Sequence, residues 1–175
     1  MKIVTMLLIA AALVSAQRMP RRAPSFCLSD SAGEWRDLID YRGKIVVIEF
    51  MQTTCPHCAA FVPKLKAIAQ KYPGRVQVLS IALLPDNPNT MMEFAKGHSL
   101  NYPLLLDMGQ VAGSYVRVPN LHFPHVYLID AEGYIKGDWE EGPLAKEIFE
   151  GDGLAREIDK LLGRPAAAAS PARKN

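Results

Sequence analysis

A short apolar run is followed, after four intervening residues, by a closely spaced pair of cysteines, and this juxtaposition restricts the fold more than any other feature of the chain. Lys44-Ile45-Val46-Val47-Ile48-Glu49-Phe50 is rich in β-branched residues and opens on the turn signal Arg42-Gly43. It reads as a buried central strand. Met51 to Thr54 then lead into Cys55-Pro56-His57-Cys58. From Ala59 to Tyr72, the residues Phe61, Leu65, Ile68 and Ala69 recur near helical spacing, and Pro73-Gly74 closes the segment. A helix is expected there. Cys55 therefore falls at the N-terminus of a helix that follows a core strand. Unpaired N–H groups and the helix dipole favour negative charge at that position. A thiolate so placed typically has its pKa lowered into a range of roughly 3.5–7.5. Cys55 is the expected exposed nucleophile, and Cys58, one turn in, the more buried resolving thiol.

Other uses of a CxxC fit less well. A disulfide across two intervening residues restricts the unfolded chain little, so it is a poor staple. A structural zinc site usually needs two further ligands, and no second CxxC exists. Ala59 follows Cys58 where haem attachment requires histidine.

The remaining elements follow from pattern. Val76 to Ala82 reads as a second, parallel strand, joined to the first by the CxxC helix in a βαβ unit. Phe26 to Leu28 and Trp35 to Leu38 are expected to form short strands or a hairpin. Pro85 to Asn89 reads as a turn, Thr90 to Lys96 as a short helix stopped by Gly97, and Tyr102 to Leu106 as a strand. Gln110 to Tyr115 is a short helix, and Val126 to Ile129 with Tyr134 to Lys136 a hairpin. Leu144 to Phe149 and Leu154 to Leu162 make a final helix interrupted near Gly151.

In combination these segments resemble the thioredoxin-like superfamily, and within it the TlpA/ResA-like thiol-disulfide oxidoreductases. Ala23 to Asp30 followed by Leu38 to Lys44 looks like their N-terminal signature. Pro63 falls where thioredoxins carry a helix-kinking proline. Phe123 to Asp130, followed by Gly133 and Ile135, resembles their cis-proline loop and strand. The resemblance spans roughly Pro24 to Leu162. It implies an α/β thioredoxin fold: a central mixed sheet flanked by helices, with an N-terminal extension and a central α/β insertion. Two departures concern specificity. The Pro56-His57 dipeptide resembles DsbA-type oxidases, and bulky Phe123 with His122 and His125 surrounds Pro124.

The resemblance assigns roles. Glu49 matches the buried acid of thioredoxins and would carry the proton of Cys58; otherwise it points to solvent from an edge strand. Burial should raise its pKa toward the working range. His57 would stabilise the Cys55 thiolate and make the couple more oxidising. A lowering of the Cys55 pKa by two units would correspond to ~2.7 kcal/mol and a potential rise of roughly 60 mV. The alternative is a solvated histidine without effect. Pro124 would be a cis-proline rather than an ordinary trans turn, and Phe123 before it would pair with a substrate chain as a short β-augmentation. The implied partners are protein thiols and disulfides and a separate redox-recycling protein, membrane-bound or soluble. No dissociable cofactor is needed, because the electrons reside in the cysteines.

Two readings of other classes stand beside this one. His122 and His125, if near the thiols, could complete a copper site similar to the Sco-type chaperones, although those place three residues between their cysteines. On the plainer reading both are surface loop histidines. Peroxiredoxins share much of the fold but carry P-x-x-x-T-x-x-C, which the run Met51 to Thr54 before Cys55 does not reproduce.

Lys2 and the apolar stretch Ile3 to Val14, then Val14-Ser15-Ala16, follow the pattern of a secretory signal peptide cleaved after Ala16. The stretch is about twelve residues, short of the ~18 expected of a spanning helix, so an uncleaved anchor is the minor alternative. Residues 1–16 are thus expected to be a leader, 17–163 the thioredoxin-like domain and 164–175 an Ala/Pro/Ser-rich disordered tail. Export implies a periplasmic or similar oxidising compartment. A mature chain of roughly 160 residues suffices for one domain, expected to be a monomer. The net charge of +2 gives no reason to expect nucleic acid. Of three cysteines, Cys27 is left over, and beside Phe26 and Leu28 it reads as a buried, inert thiol.

Overall fold

The computed structural model describes residues 21–116 and 121–163. The expected leader (1–16), linker residues 17–20 and the C-terminal tail (164–175) lie outside the described residues. In chain order the elements are β1 (Cys27–Ser29), β2 (Trp35–Asp37), β3 (Ile45–Met51), α1 (Pro56–Lys71), β4 (Val76–Leu83), α2 (Pro88–Gly97), β5 (Leu104–Asp107), α3 (Gln110–Tyr115), β6 (His125–Ile129), β7 (Ile135–Glu140), α4 (Lys146–Phe149) and α5 (Gly153–Leu161).

β1 and β2 form a small antiparallel hairpin, and the other strands form one sheet in the order β5-β4-β3-β6-β7. β3 pairs parallel with β4, and β4 with β5, whereas β6 runs antiparallel to β3 and to β7. The apolar run thus supplies β3, the central strand of a mixed sheet, and every residue of β3 is buried. Buried on both faces, such a strand shows no polar alternation.

Successive side chains of β3 point to opposite faces. Ile45 and Val47, with Val76, Val78, Val126 and Leu128, pack beneath Phe61, Leu65 and Ile68 of α1 and beneath Ile148, Leu154 and Ile158. Val46, Ile48 and Phe50 meet Leu79, Ile81, Tyr115 and Tyr127 on the other face. Pro63 is accommodated within α1.

Two local expectations are corrected. α2 begins at Pro88, inside the segment read as a turn, because the Asn87 side chain caps the Asn89 and Thr90 N–H groups and Pro88 occupies the first turn. Gly97 lies within that helix, and it is Ser99 that takes a positive φ of 48° beyond it. Cys27 is exposed, not buried. Phe26 turns into the core, and in extended chain its neighbour faces the other way.

Candidate active site

Cys55 is the N-cap residue of α1, with Pro56 in the first turn. Pro56 has no N–H and its φ suits a helix start, so it costs nothing there. The Cys58 N–H donates to the Cys55 sulfur at 3.3 Å, which aims an otherwise unpaired helix donor at that sulfur. Cys55 is half-buried, and its thiol faces the Phe123 carbonyl oxygen at 3.8 Å. The Phe123–Pro124 peptide bond is cis. Phe123 is half-buried and packs beside Cys55 and Cys58.

Cys58 lies one turn deeper and is fully buried, among Met51, Val62, Ala82, Met91 and Leu104. Burial, and then the charge of Glu49, push its thiol pKa far up. Glu49 sits on the central strand and is 1% exposed, so it does not face solvent from an edge. Desolvation raises its pKa to about 8, opposed by a hydrogen bond from Ser80. The Ser80 hydroxyl donates to Glu49 Oε2, whereas Oε1 is buried without a partner.

The loop before Cys55 is held from the connection between β4 and α2. Buried Asp86 accepts from the Thr53 N–H at 2.8 Å, from the Thr53 hydroxyl, and from the Thr90 hydroxyl at 3.0 Å. Gln52 Nε2 donates to the Leu84 carbonyl at 2.7 Å, and the Cys55 N–H closes a turn onto the Gln52 carbonyl at 3.0 Å. Asp86 and Ser80 were not expected as site residues. Asp86 lies in a segment that reads as a turn, and a serine in an apolar strand carries no signal until its neighbour is known.

The three histidines part company. His57 leaves 67% of its side chain in solvent, with Nδ1 3.8 Å from Glu141 Oε1. His122 is exposed. His125 is buried, not a surface residue: its ring stacks on Tyr127 at 4.8 Å and Nε2 lies 2.7 Å from Asp138 Oδ1. Strand alternation places it on the face opposite Val126 and Leu128, which pack beneath α1. Among the described residues, no group of three or more His, Cys, Asp or Glu side chains is placed to hold a metal ion.

A mixed five-stranded sheet, with its CxxC opening the helix after the central strand, defines a thioredoxin fold. A thiol:disulfide interchange protein of the thioredoxin family from Chlorobium tepidum TLS shares it, with a TM-score of 0.73 at 19% identity, over 85% of this chain and 100% of that one. A secreted disulfide oxidoreductase from Mycobacterium tuberculosis does so with a TM-score of 0.63 at 24% identity, over 79% of this chain and 95% of that one. The AhpC/TSA family model matches residues 19–137, and the chain belongs to that family. Its relatives include the thiol-disulfide oxidoreductase ResA of Geobacillus kaustophilus, 32% identical over 131 residues, which are 73% of this chain and 72% of that protein. Another is the thioredoxin-like protein YneN of Bacillus subtilis, 26% identical over 132 residues, covering 74% of this chain and 75% of that protein.

Proposed function

We propose that this chain is an exported thiol-disulfide oxidoreductase that exchanges disulfides with protein partners through Cys55 and Cys58. The asymmetry of the pair carries the reading. One sulfur caps a helix at the surface, and the other lies fully buried in the same cluster, its thiol raised by burial and by the charge of Glu49, whose own carboxyl is pushed up to about 8 and so titrates close to neutrality. The relationship to ResA supports the activity. Export is supported by the leader pattern of residues 1–16 and by the likeness to a secreted disulfide oxidoreductase. Among the described residues no helix is long and apolar enough to cross a membrane.

In the oxidising direction of the enzyme, the Cys55 thiolate attacks a partner disulfide, and one partner sulfur leaves as a thiolate that takes up a proton. Cys58 then gives its proton to Glu49 and attacks the Cys55 sulfur. The Cys55–Cys58 bond forms, the mixed disulfide breaks, and the second partner sulfur leaves with the electron pair and is protonated. The partner gains two electrons and two protons. Donation of a disulfide is the reverse sequence. The Phe123–Pro124 loop holds the partner backbone beside Cys55, and His57 trims the potential. A separate redox protein restores the starting state.

Cys55→Ala is expected to abolish exchange, and Cys58→Ala to accumulate partners as mixed disulfides on Cys55, visible on non-reducing gels and by mass spectrometry. Turnover by the Cys55→Ala protein would contradict the reading.

A further inference from the structure

Glu49 has one hydrogen-bond partner among the described residues, and it comes from the next strand. The parallel register sets Glu49 beside Ser80, which is itself 1% exposed and donates its hydroxyl to Oε2. The Ser80 N–H donates to the Pro103 carbonyl at 3.1 Å, which brings Tyr102 to the same place. Tyr102 packs with Val47, Phe61 and Leu65, on the α1 face of the sheet that Glu49 also occupies. Its hydroxyl is buried without a hydrogen-bond partner, as is Glu49 Oε1. Burial, and then the charge of Glu49, raise the pKa of this hydroxyl. Two hydroxyls and one carboxyl thus share a dry region of the core.

A carboxyl alone in such a region stays protonated. A protonated Glu49 cannot accept the Cys58 proton. A hydroxyl that donates to the carboxylate favours the ionised form. Ser80 occupies that position for Oε2, and Tyr102 is the second buried donor on the same face, with no acceptor of its own. We propose that Ser80, backed by Tyr102, is a positioning residue that keeps Glu49 available as the base for Cys58.

The inference rests on the proton role proposed for Glu49. When Glu49 takes the Cys58 proton, the Ser80 hydroxyl releases a carboxylate and faces a neutral acid. No electrons move in this transfer. The sulfur so deprotonated then makes the Cys55–Cys58 bond and expels the partner sulfur.

The test uses the reduced, full chain and an excess of glutathione disulfide in stopped flow. The first phase, attack by Cys55, depends on glutathione concentration, and the second, resolution by Cys58, does not. Loss of one hydrogen bond to a charged group should move the pH midpoint of the second phase of Ser80→Ala upward by about one unit, roughly a tenfold slowing near neutrality. Tyr102→Phe should shift it the same way by less, Ser80→Thr should restore it, and the first phase should stay in place in all three. Should Ser80→Ala not fold, Ser80→Val against the isosteric Ser80→Thr gives the same contrast. An unmoved midpoint without the hydroxyl, while Glu49→Gln abolishes the pH dependence, overturns the inference and leaves Glu49 as the base. An unchanged profile in Glu49→Gln overturns the role of Glu49 and the inference with it.

Discussion

The outer and inner halves of the candidate site are built from different parts of the fold. The outer half is Cys55, His57 and the Phe123–Pro124 loop, carried on a helix end and on turns, with His57 largely in solvent. The inner half is Cys58, Glu49 and Ser80, carried on the first turn of α1 and on two central strands, with no member above 1% exposure. Charge interactions are weak in water and strong in a dry interior. On the proposed function, the inner half is the part that controls protonation, and the outer half is the part that meets the partner and trims the chemistry.

Stability against pH is where this contrast is largest. The Glu49 carboxyl has a pKa of about 8 in the folded chain against an ordinary 4.5. Between those values the unfolded chain has released a proton that the native chain keeps. The native state then binds more protons, so stability falls as pH rises through this window and levels above about 8. The span corresponds to on the order of 4–5 kcal/mol. Urea unfolding near pH 5 and pH 9 should show Glu49→Gln losing far less stability than the native chain over that interval. Equal losses would mean that the inner half holds no costly acid.

Asp86 holds the loop that leads into Cys55, and its effect should be intermediate. Asp86→Ala strips the acceptor from the half-buried Thr53 N–H and hydroxyl and one of two acceptors from the Thr90 hydroxyl. A buried donor left unsatisfied costs about 1–3 kcal/mol, and a half-buried one stands near the low end of that range. Thermal unfolding should show that loss, and Cys55 should alkylate more slowly as the Gln52–Cys55 turn loosens. A variant with unchanged stability and an unchanged Cys55 rate would separate the loop from the chemistry.

The smallest effect belongs to the outer half. If His57 favours the thiolate as proposed, His57→Ala should lower the reduction potential, by about 30 mV or less given its exposure. Equilibration with glutathione buffers measures this. A fall beyond roughly 60 mV would place control of the couple at the rim.

What was legible in the sequence follows the same division. The central strand, the CxxC helix and the parallel return strand carry their own signals: a β-branched run, helical spacing and a Pro-Gly stop. Glu49 stands out in the sequence because an acid in an apolar strand is expensive. Its partner did not, because Ser80 lies 31 residues away and only the strand register sets the two side by side. Asp86 and Thr53 are likewise joined across 33 residues. His125 misled for the opposite reason. It adjoins Pro124 in sequence, but strand alternation turns its ring to the far face. β1 is three residues long, too short for alternation to show which way Cys27 points.

The division of labour between the two sulfurs is tested most directly by timed alkylation of the fully reduced native chain with iodoacetamide near neutral pH. Peptide mass spectrometry then reads Cys55 and Cys58 separately. The structure predicts that Cys55 is modified while Cys58, fully buried and with its thiol pKa driven up, stays intact until the protein unfolds. Modification of Cys58 at the same rate as Cys55 would contradict the account.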